Sequence, residues 1–363
     1  MEARDTLAEK LQRMGYTTAA FTPNPFTSRH FGFDQGFDHF QDFMDESNRS
    51  SLYNSIFQGF LDGSRVSSLA RVFVNFWQRE EVFKPWESYY DEIIEWVEGA
   101  SEPYFLWVFL MDAHNPYMAA EEYRTQSRWK ELHANVEFWR QSHETPYSDA
   151  VHERLVTAYD DSIRYSDAFV GQLREELADD SPVIAVHGDH GEAFDERGVY
   201  GHFYPDLYEE NVHVPLVVSN AESPAVESVE RPVSLLQLPA IVRAAAGVDG
   251  RMGDDEKRPS FADFGRDWVV ATDYDGRTDR NLTAIRTQGL KYLRTDGGDG
   301  MTGELYDLTE DPTEQRNLVG TDHPAEDALE RLASRRASHE REQLAIEDAV
   351  VDAAPMRAAP RES

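Results

Sequence analysis

Two uninterrupted apolar runs constrain this chain most: Tyr104-Phe-Leu-Trp-Val-Phe-Leu110, and Val183-Ile-Ala-Val186 led in by Pro182. Apolar runs without polar alternation read as strands buried on both faces, the habit of parallel sheets covered by helices. Between them Leu155, Tyr159, Ile163, Val170, Leu173 and Leu177 recur at helical spacing, so residues 150–178 predict a long amphipathic helix whose acidic residues form a solvated face. Strand, helical crossover and strand would place both runs in one parallel sheet, with their carboxyl ends on one rim. The expected fold class is α/β: a large, mostly parallel sheet flanked by helices.

Both runs break into polar residues where they stop. The first ends in Met111-Asp-Ala-His-Asn-Pro-Tyr117 and the second in His187-Gly-Asp-His-Gly-Glu192, with His202 following in Tyr200-Gly-His. Ligands of open α/β sheets bind beyond the carboxyl ends of strands, so these clusters form the candidate site. Asp189 and His190 pair a carboxylate with an imidazole, a donor set that suits Mg, Mn, Ca or Zn without choosing among them. Gly188 and Gly191 flank them and permit close backbone approach or positive φ. His114 stands where a proton donor or anion contact would. The plainer reading of Asp-His-Gly is a polar turn capping a helix; His202 and the second cluster tip the balance toward a site.

Elsewhere the elements are local. Thr6-Leu-Ala-Glu9 reads as a capping box before a helix that Gly15 stops, and Tyr16–Phe21 reads as a strand. Residues 45–100 are mixed helical and aromatic-rich, and Phe73, Phe76, Trp77, Trp86, Tyr89, Tyr90 and Trp96 read as core or lid packing, with the lining of a substrate pocket as the other reading. Residues 118–147 read as a loop-rich insertion whose Trp129, His133, His143 and Glu144 receive no role. Leu216-Val-Val reads as another buried strand, and 233–246 as a helix ending at Gly247. Short strands at 268–273, 282–287, 291–294 and 304–308, joined by turns such as Asp275-Gly276, predict a small antiparallel sheet. The expected domains are 1–250, the α/β domain; 262–320, the antiparallel subdomain; and 324–363, a helix and disordered tail.

The chain carries 68 acidic against 35 basic residues, a formal charge of −33 that argues against nucleic acid or anionic membrane as partners. Many acidic residues, few lysines and no cysteine are similar to proteins of extreme halophiles, where salt screens the self-repulsion. No segment reaches the ~20 apolar residues of a membrane span. Without a basic-then-apolar leader the default compartment is the cytoplasm, and secretion would need a signal segment upstream.

The ordered blocks YFLWVFLMDAHNPY, YDDSIRYSDAFVGQLREEL, VIAVHGDHGEAFDERGVYGH, LYEENVHVPLVV, GLKYLR and GELYDLTEDPTEQRNL resemble the sulfatases of the alkaline phosphatase superfamily, over roughly residues 6 to 320. The resemblance implies an alkaline-phosphatase-like sheet with a small antiparallel C-terminal subdomain. It implies one divalent metal ion, Ca or Mg foremost and Mn or Zn next, with Asp189 and His190 as ligands. It makes His202 and His114 the catalytic histidines, makes Lys291 a candidate substrate contact, and places His213 at a packing position. A small anionic ester would be the substrate: a sulfated sugar, or alternatively a phosphoryl or phosphonate ester. A noncatalytic binder of sulfated glycans is the reading from a different class.

The family also carries a C/S-x-P-x-R motif whose Cys or Ser becomes formylglycine, and an earlier Asp pair that completes the metal site. This chain has no cysteine, and its nearest look-alike, Pro25-Phe-Thr-Ser-Arg29, lacks the spacing, so Thr27, Ser28 and Arg29 read as loop residues. The expectation is a chain that starts late, with a natural fragment or a noncatalytic relative as the other accounts.

Overall fold

The computed structural model describes residues 5–43, 84–140, 146–202, 206–221, 228–248 and 260–353, with side chains up to residue 339. The readings of Phe73, Phe76, Trp77, His143 and Glu144, of most of 249–259 and of the tail after 353 lie outside the described residues. The chain forms two compact units, Met1–Ser181 and Pro182–Ser363.

The first unit opens as its capping box predicts. In α1 (Leu7–Arg13) the Glu9 amide donates to Thr6 Oγ1 at 3.1 Å, and the Thr6 amide donates to Glu9 Oε2 at 2.8 Å. Gly15, at φ +91°, turns the chain into β1 (Thr17–Phe21). This strand is the buried centre of a parallel sheet, flanked by β2 (His39–Gln41) and β3 (Tyr104–Val108) in the order β2-β1-β3. Ala19 lies opposite His39 on one side and Leu106 on the other. Thr27 ends one short 3-10 turn after β1 and Ser28 links it to a second, which Arg29 opens while donating to the Phe40 carbonyl.

Helices α2 (Tyr90–Gly99), α3 (Arg128–Arg140) and α4 (Asp149–Glu176) complete this unit. Ile93 and Val97 of α2 and Tyr165, Phe169 and Leu173 of α4 close over Ala19 and Phe21, with Leu106 and Val108 joining from β3. Burial of one such side chain contributes roughly 1.5–3 kcal/mol. Strand alternation turns Phe105 and Trp107 to the opposite face, where Phe37 stacks on both at 6.1 Å. The aromatics Trp86, Tyr89 and Tyr90 are core, as one sequence reading held.

The inward stripe of α4 differs from the periodicity argument. Ile163 is 44% exposed, whereas Asp161, placed on the solvated face, is fully buried. Thr125 explains it: its amide and hydroxyl each donate to the Asp161 carboxylate at 2.9 Å, and Arg164 pairs with the same group. Those bonds offset the desolvation of a buried charge, which no helical period can reveal.

The second unit begins with β4 (Ile184–His187), and here a prediction is corrected. Among the described residues β4 pairs antiparallel with β5 (Leu216–Ser219) in a sheet of two strands, not parallel as the sequence suggests. Among the described residues the connection holds the four-residue helix α5 (Glu209–Val212). Nor are these strands buried on both faces, since the paired Val186 and Val217 are 38% and 60% exposed. Helix α6 (Leu238–Ala245) then ends at Gly247, φ +64°, as read from sequence.

A meander follows: β6 (Trp268–Asp275), β7 (Arg280–Thr287), β8 (Leu290–Gly297) and β9 (Gly300–Asp307), paired antiparallel in that order. Helix α7 (Glu326–Ala353) lays Leu329 and Ala333 on Ile285, Tyr292 and Leu305. Alternate residues Ala284, Leu293 and Tyr306 face Leu207 on the other side. The expected small antiparallel sheet is thus present, with longer strands.

Candidate functional site

The turn after β4 is shaped by Gly191. A Cβ there would stand 2.0 Å from the Glu210 carbonyl oxygen, so only glycine lets the turn lie against α5, where the Gly191 amide donates to the Asn211 carbonyl at 2.8 Å. Neither flanking glycine has a positive φ, and close approach is the contribution of Gly191. The turn carries Asp189 and His190 outward. His190 Nδ1 lies 2.7 Å from the Gly191 carbonyl, which fixes the proton on Nδ1 and leaves the Nε2 lone pair free, 3.9 Å from Asp189 Oδ1.

The chain then folds back through an isolated bridge between Phe194 and Tyr200, closed by the Gly201 amide on the Ala193 carbonyl at 2.8 Å. This return brings the His202 ring to 4.1 Å from the His190 ring, centre to centre. Nδ1 of His202 lies 3.0 Å from Oε1 of the buried Glu192. Burial by itself would lower the His202 pKa, but the Glu192 hydrogen bond and charge, with Asp189, raise it above the ordinary imidazole value. Asp189, His190 and His202 therefore converge as the sequence predicts.

Lys291 does not join them. Its side chain is fully buried: Nζ donates to Glu209 Oε1 at 3.1 Å and lies 3.0 Å from Glu314 Oε1, itself buried. Arg286 reaches Glu209 Oε2 at 3.3 Å, and Arg197 reaches Glu314 Oε2 at 3.3 Å. Burial would raise the Glu209 pKa, yet Lys291 and Arg286 hold it lowered. The expected substrate contact is a strut that ties β8 to α5, and His213 stands exposed beside it, 3.6 Å from Glu209.

In the first unit, the turn after β3 carries His114, whose Nδ1 lies 2.6 Å from the Asn115 carbonyl. Beside it in sequence, Asp112 and Asn115 are buried, and among the described residues Asp112 Oδ2 and both side-chain polar atoms of Asn115 have no hydrogen-bond partner. Desolvation, with the Glu87 charge adding, pushes the Asp112 carboxyl up to about 7. The sequence reading gave Asp112 no role of its own; a polar residue closing an apolar strand was the available signal.

The family model described as Sulfatase matches residues 1–248. The chain belongs to the sulfatase family. Solved sulfatase structures share its fold. BT4656 in complex with its substrate, D-glucosamine-2-N,6-O-disulfate, superposes with a TM-score of 0.63 at 14% identity over 94% of this chain and 83% of that one. BT1596, a 2-O GAG sulfatase, gives 0.56 at 16% identity over 99% and 78%. No curated protein matches the chain.

For a sulfatase, the donor chemistry of Asp189 and His190 fits a divalent ion: an anionic oxygen beside a neutral imidazole nitrogen whose tautomer is already set. They are two donors, and among the described residues no group of three His, Asp or Glu side chains is gathered for a metal. Glu192 was visible in the motif, but its role as the partner of His202 required the return of the chain through Phe194 and Tyr200.

Proposed function

We propose that this protein hydrolyses sulfuric esters of sugars, and that sulfated amino sugars are its substrate class. The observation that carries the reading is the sulfatase match over residues 1–248, which takes in both the Asp189–His190 pair and the Glu192–His202 pair. That a similar fold holds D-glucosamine-2-N,6-O-disulfate as its substrate supports a small anionic sugar ester here.

Asp189 and His190 would hold one divalent ion, Ca or Mg foremost, and its chemistry when bound is Lewis-acid neutralisation of the ester's anionic oxygens. The remaining work falls to the chain's own side chains. Glu192 favours the imidazolium form of His202, giving a cationic donor for the sulfuryl or bridging oxygen. The same proton can pass to the sugar oxygen as the S–O bond breaks, which spares the leaving group a full negative charge. His114 is assigned as the second donor by family resemblance. The family's nucleophile belongs to a C/S-x-P-x-R segment that residues 1–363 do not contain, and hydrolysis on this reading needs that segment supplied.

The test is an assay of residues 1–363 and of a form extended upstream through a C/S-x-P-x-R motif, in high salt with divalent ion. Chromogenic aryl sulfate, aryl phosphate and 6-O-sulfated glucosamine are the substrates. Sulfate release by the extended form alone is the expected result. Turnover by residues 1–363 would overturn the need for the segment; preference for the phosphate, or silence in both forms, would overturn the sulfatase reading.

A further inference from the structure

Far from the Asp189–His202 turn in sequence, the second unit holds a groove of about 630 Å³ between residues 234–237, the start of β6 and α7. That volume lies within the roughly 300–1,000 Å³ typical of small-molecule sites. Ser234, Gln237, Arg266, Trp268, Arg336 and His339 line it, and it shares no residue with the turn that carries Asp189, His190 and His202. We propose that this groove is a second recognition site, which binds an acidic sugar unit of a sulfated glycan away from the reacting ester. The proposal deepens the sulfatase reading and rests on it for the choice of ligand.

Three observations carry it. The first is charge: in a chain of formal charge −33, two guanidiniums and an imidazole gather in one groove, with Asp267 the one acidic residue of the lining among the described residues. Asp267 is partly engaged by Arg231, at 3.4 Å. The second is availability. Arg336 has no ion-pair or hydrogen-bond partner among the described residues, and the Arg266 guanidinium donates only to the Asp263 carbonyl, at 3.4 Å. The paired oxygens of a sulfate or carboxylate match the geometry of such guanidinium forks. Arg336 and His339 stand three residues apart on α7 and so project from one helix face.

The third is shape and polarity. Trp268 is 39% exposed at the first position of the edge strand β6, and Leu236 of the lining is 89% exposed. An exposed indole at the edge of a groove offers an apolar face to a sugar ring, with cations beside it for the ring's anionic substituent. Ser234 and Gln237 add hydroxyl and amide groups suited to sugar hydroxyls. A ligand that is both ring-shaped and anionic uses all three features; an apolar ligand would leave the arginines desolvated and unpaired.

The experiment is isothermal titration of the whole chain, without divalent ion, using a size-defined sulfated glycan hexasaccharide and its desulfated counterpart. Arg266→Ala/Arg336→Ala and Trp268→Ala are each expected to weaken binding of the sulfated probe by about tenfold or more, and Arg266→Lys/Arg336→Lys to weaken it less. All these positions line an open groove, and circular dichroism confirms folding. Unchanged affinity in the double alanine variant, equal affinity for the desulfated probe, or equally variant-dependent binding of a single-stranded oligonucleotide of matched charge would each overturn the proposal. Hydrolysis of a small aryl sulfate by the extended form, expected to be unchanged by these substitutions, reports separately on the sulfatase reading.

Discussion

Nδ1 of His202 lies 3.0 Å from Oε1 of Glu192, and this buried carboxylate sets the charge of the imidazole. Raised above its usual value of about 6.5, His202 makes a stabilising contribution that is full below that pH and is lost as pH rises through the folded-state pKa. Glu192→Gln removes the charge but not the bulk. His202 is then expected to titrate lower, and the loss of stability as pH rises above about 6.5 to flatten. Imidazole proton resonances followed through a pH titration decide it; an unmoved His202 titration would sink the assignment. In the active form, His202→Ala is expected to cost on the order of 10²–10⁴ in kcat.

Asp189 makes a second prediction. Asp189→Asn removes the anionic donor while keeping the side chain's size, so affinity for Ca or Mg is expected to fall by about tenfold or more, and hydrolysis with it. Metal titration by calorimetry reads the first effect independently of the second. Unchanged metal affinity would remove Asp189 from the ligand set.

Lys291 is expected to matter for folding rather than for substrate affinity. Lys291→Met leaves Glu209 and Glu314 without their shared ammonium. Glu209 keeps Arg286 and Glu314 keeps Arg197, so the loss is expected to fall below the about 3–5 kcal/mol of a wholly unpaired buried charge, and denaturant unfolding would register it. Adding Glu314→Gln should recover part of that loss, because one of the stranded charges is gone. A raised KM in a variant of unchanged stability would instead return Lys291 to the substrate.

Asp112 reverses the usual carboxylate behaviour. With its folded pKa pushed up to about 7, the buried carboxyl is held neutral, and stability declines as pH rises from about 4 toward 7, where the unfolded chain ionises but the fold resists. Asp112→Asn lacks that penalty. At pH 8 it is expected to be the more stable form by an amount of order a few kcal/mol, with the two proteins converging near pH 4. Identical stability profiles would show that the carboxyl ionises freely in the fold.

Much of the site was legible because the chemistry was contiguous. Asp189, His190 and Glu192 follow one another at the end of an apolar run, and a polar break at a strand terminus is a local signal. His202 also came from the motif, although its pairing with Glu192 depended on the return of the chain through Phe194 and Tyr200. Lys291 stood in the sequence as a candidate substrate contact by resemblance, and nothing local to its short strand announces its burial. The two glutamates that bury it, Glu209 and Glu314, lie 82 residues before it and 23 residues after it in sequence.

Hydrophobic periodicity and capping chemistry act within a few residues of each other. The sequence by itself therefore determined the Thr6–Glu9 cap, the span of α4, the strands of the C-terminal meander and the residues of the Asp189–His190 turn. Tertiary structure alone decided the antiparallel pairing of β4 with β5, the burial of Asp161 under Thr125, the tight seat of Gly191 against Glu210 and the enclosure of Lys291. Each of these turns on whether a particular donor, acceptor or backbone from a distant segment arrives to compensate desolvation or fill space. Local propensity carries no record of that arrival.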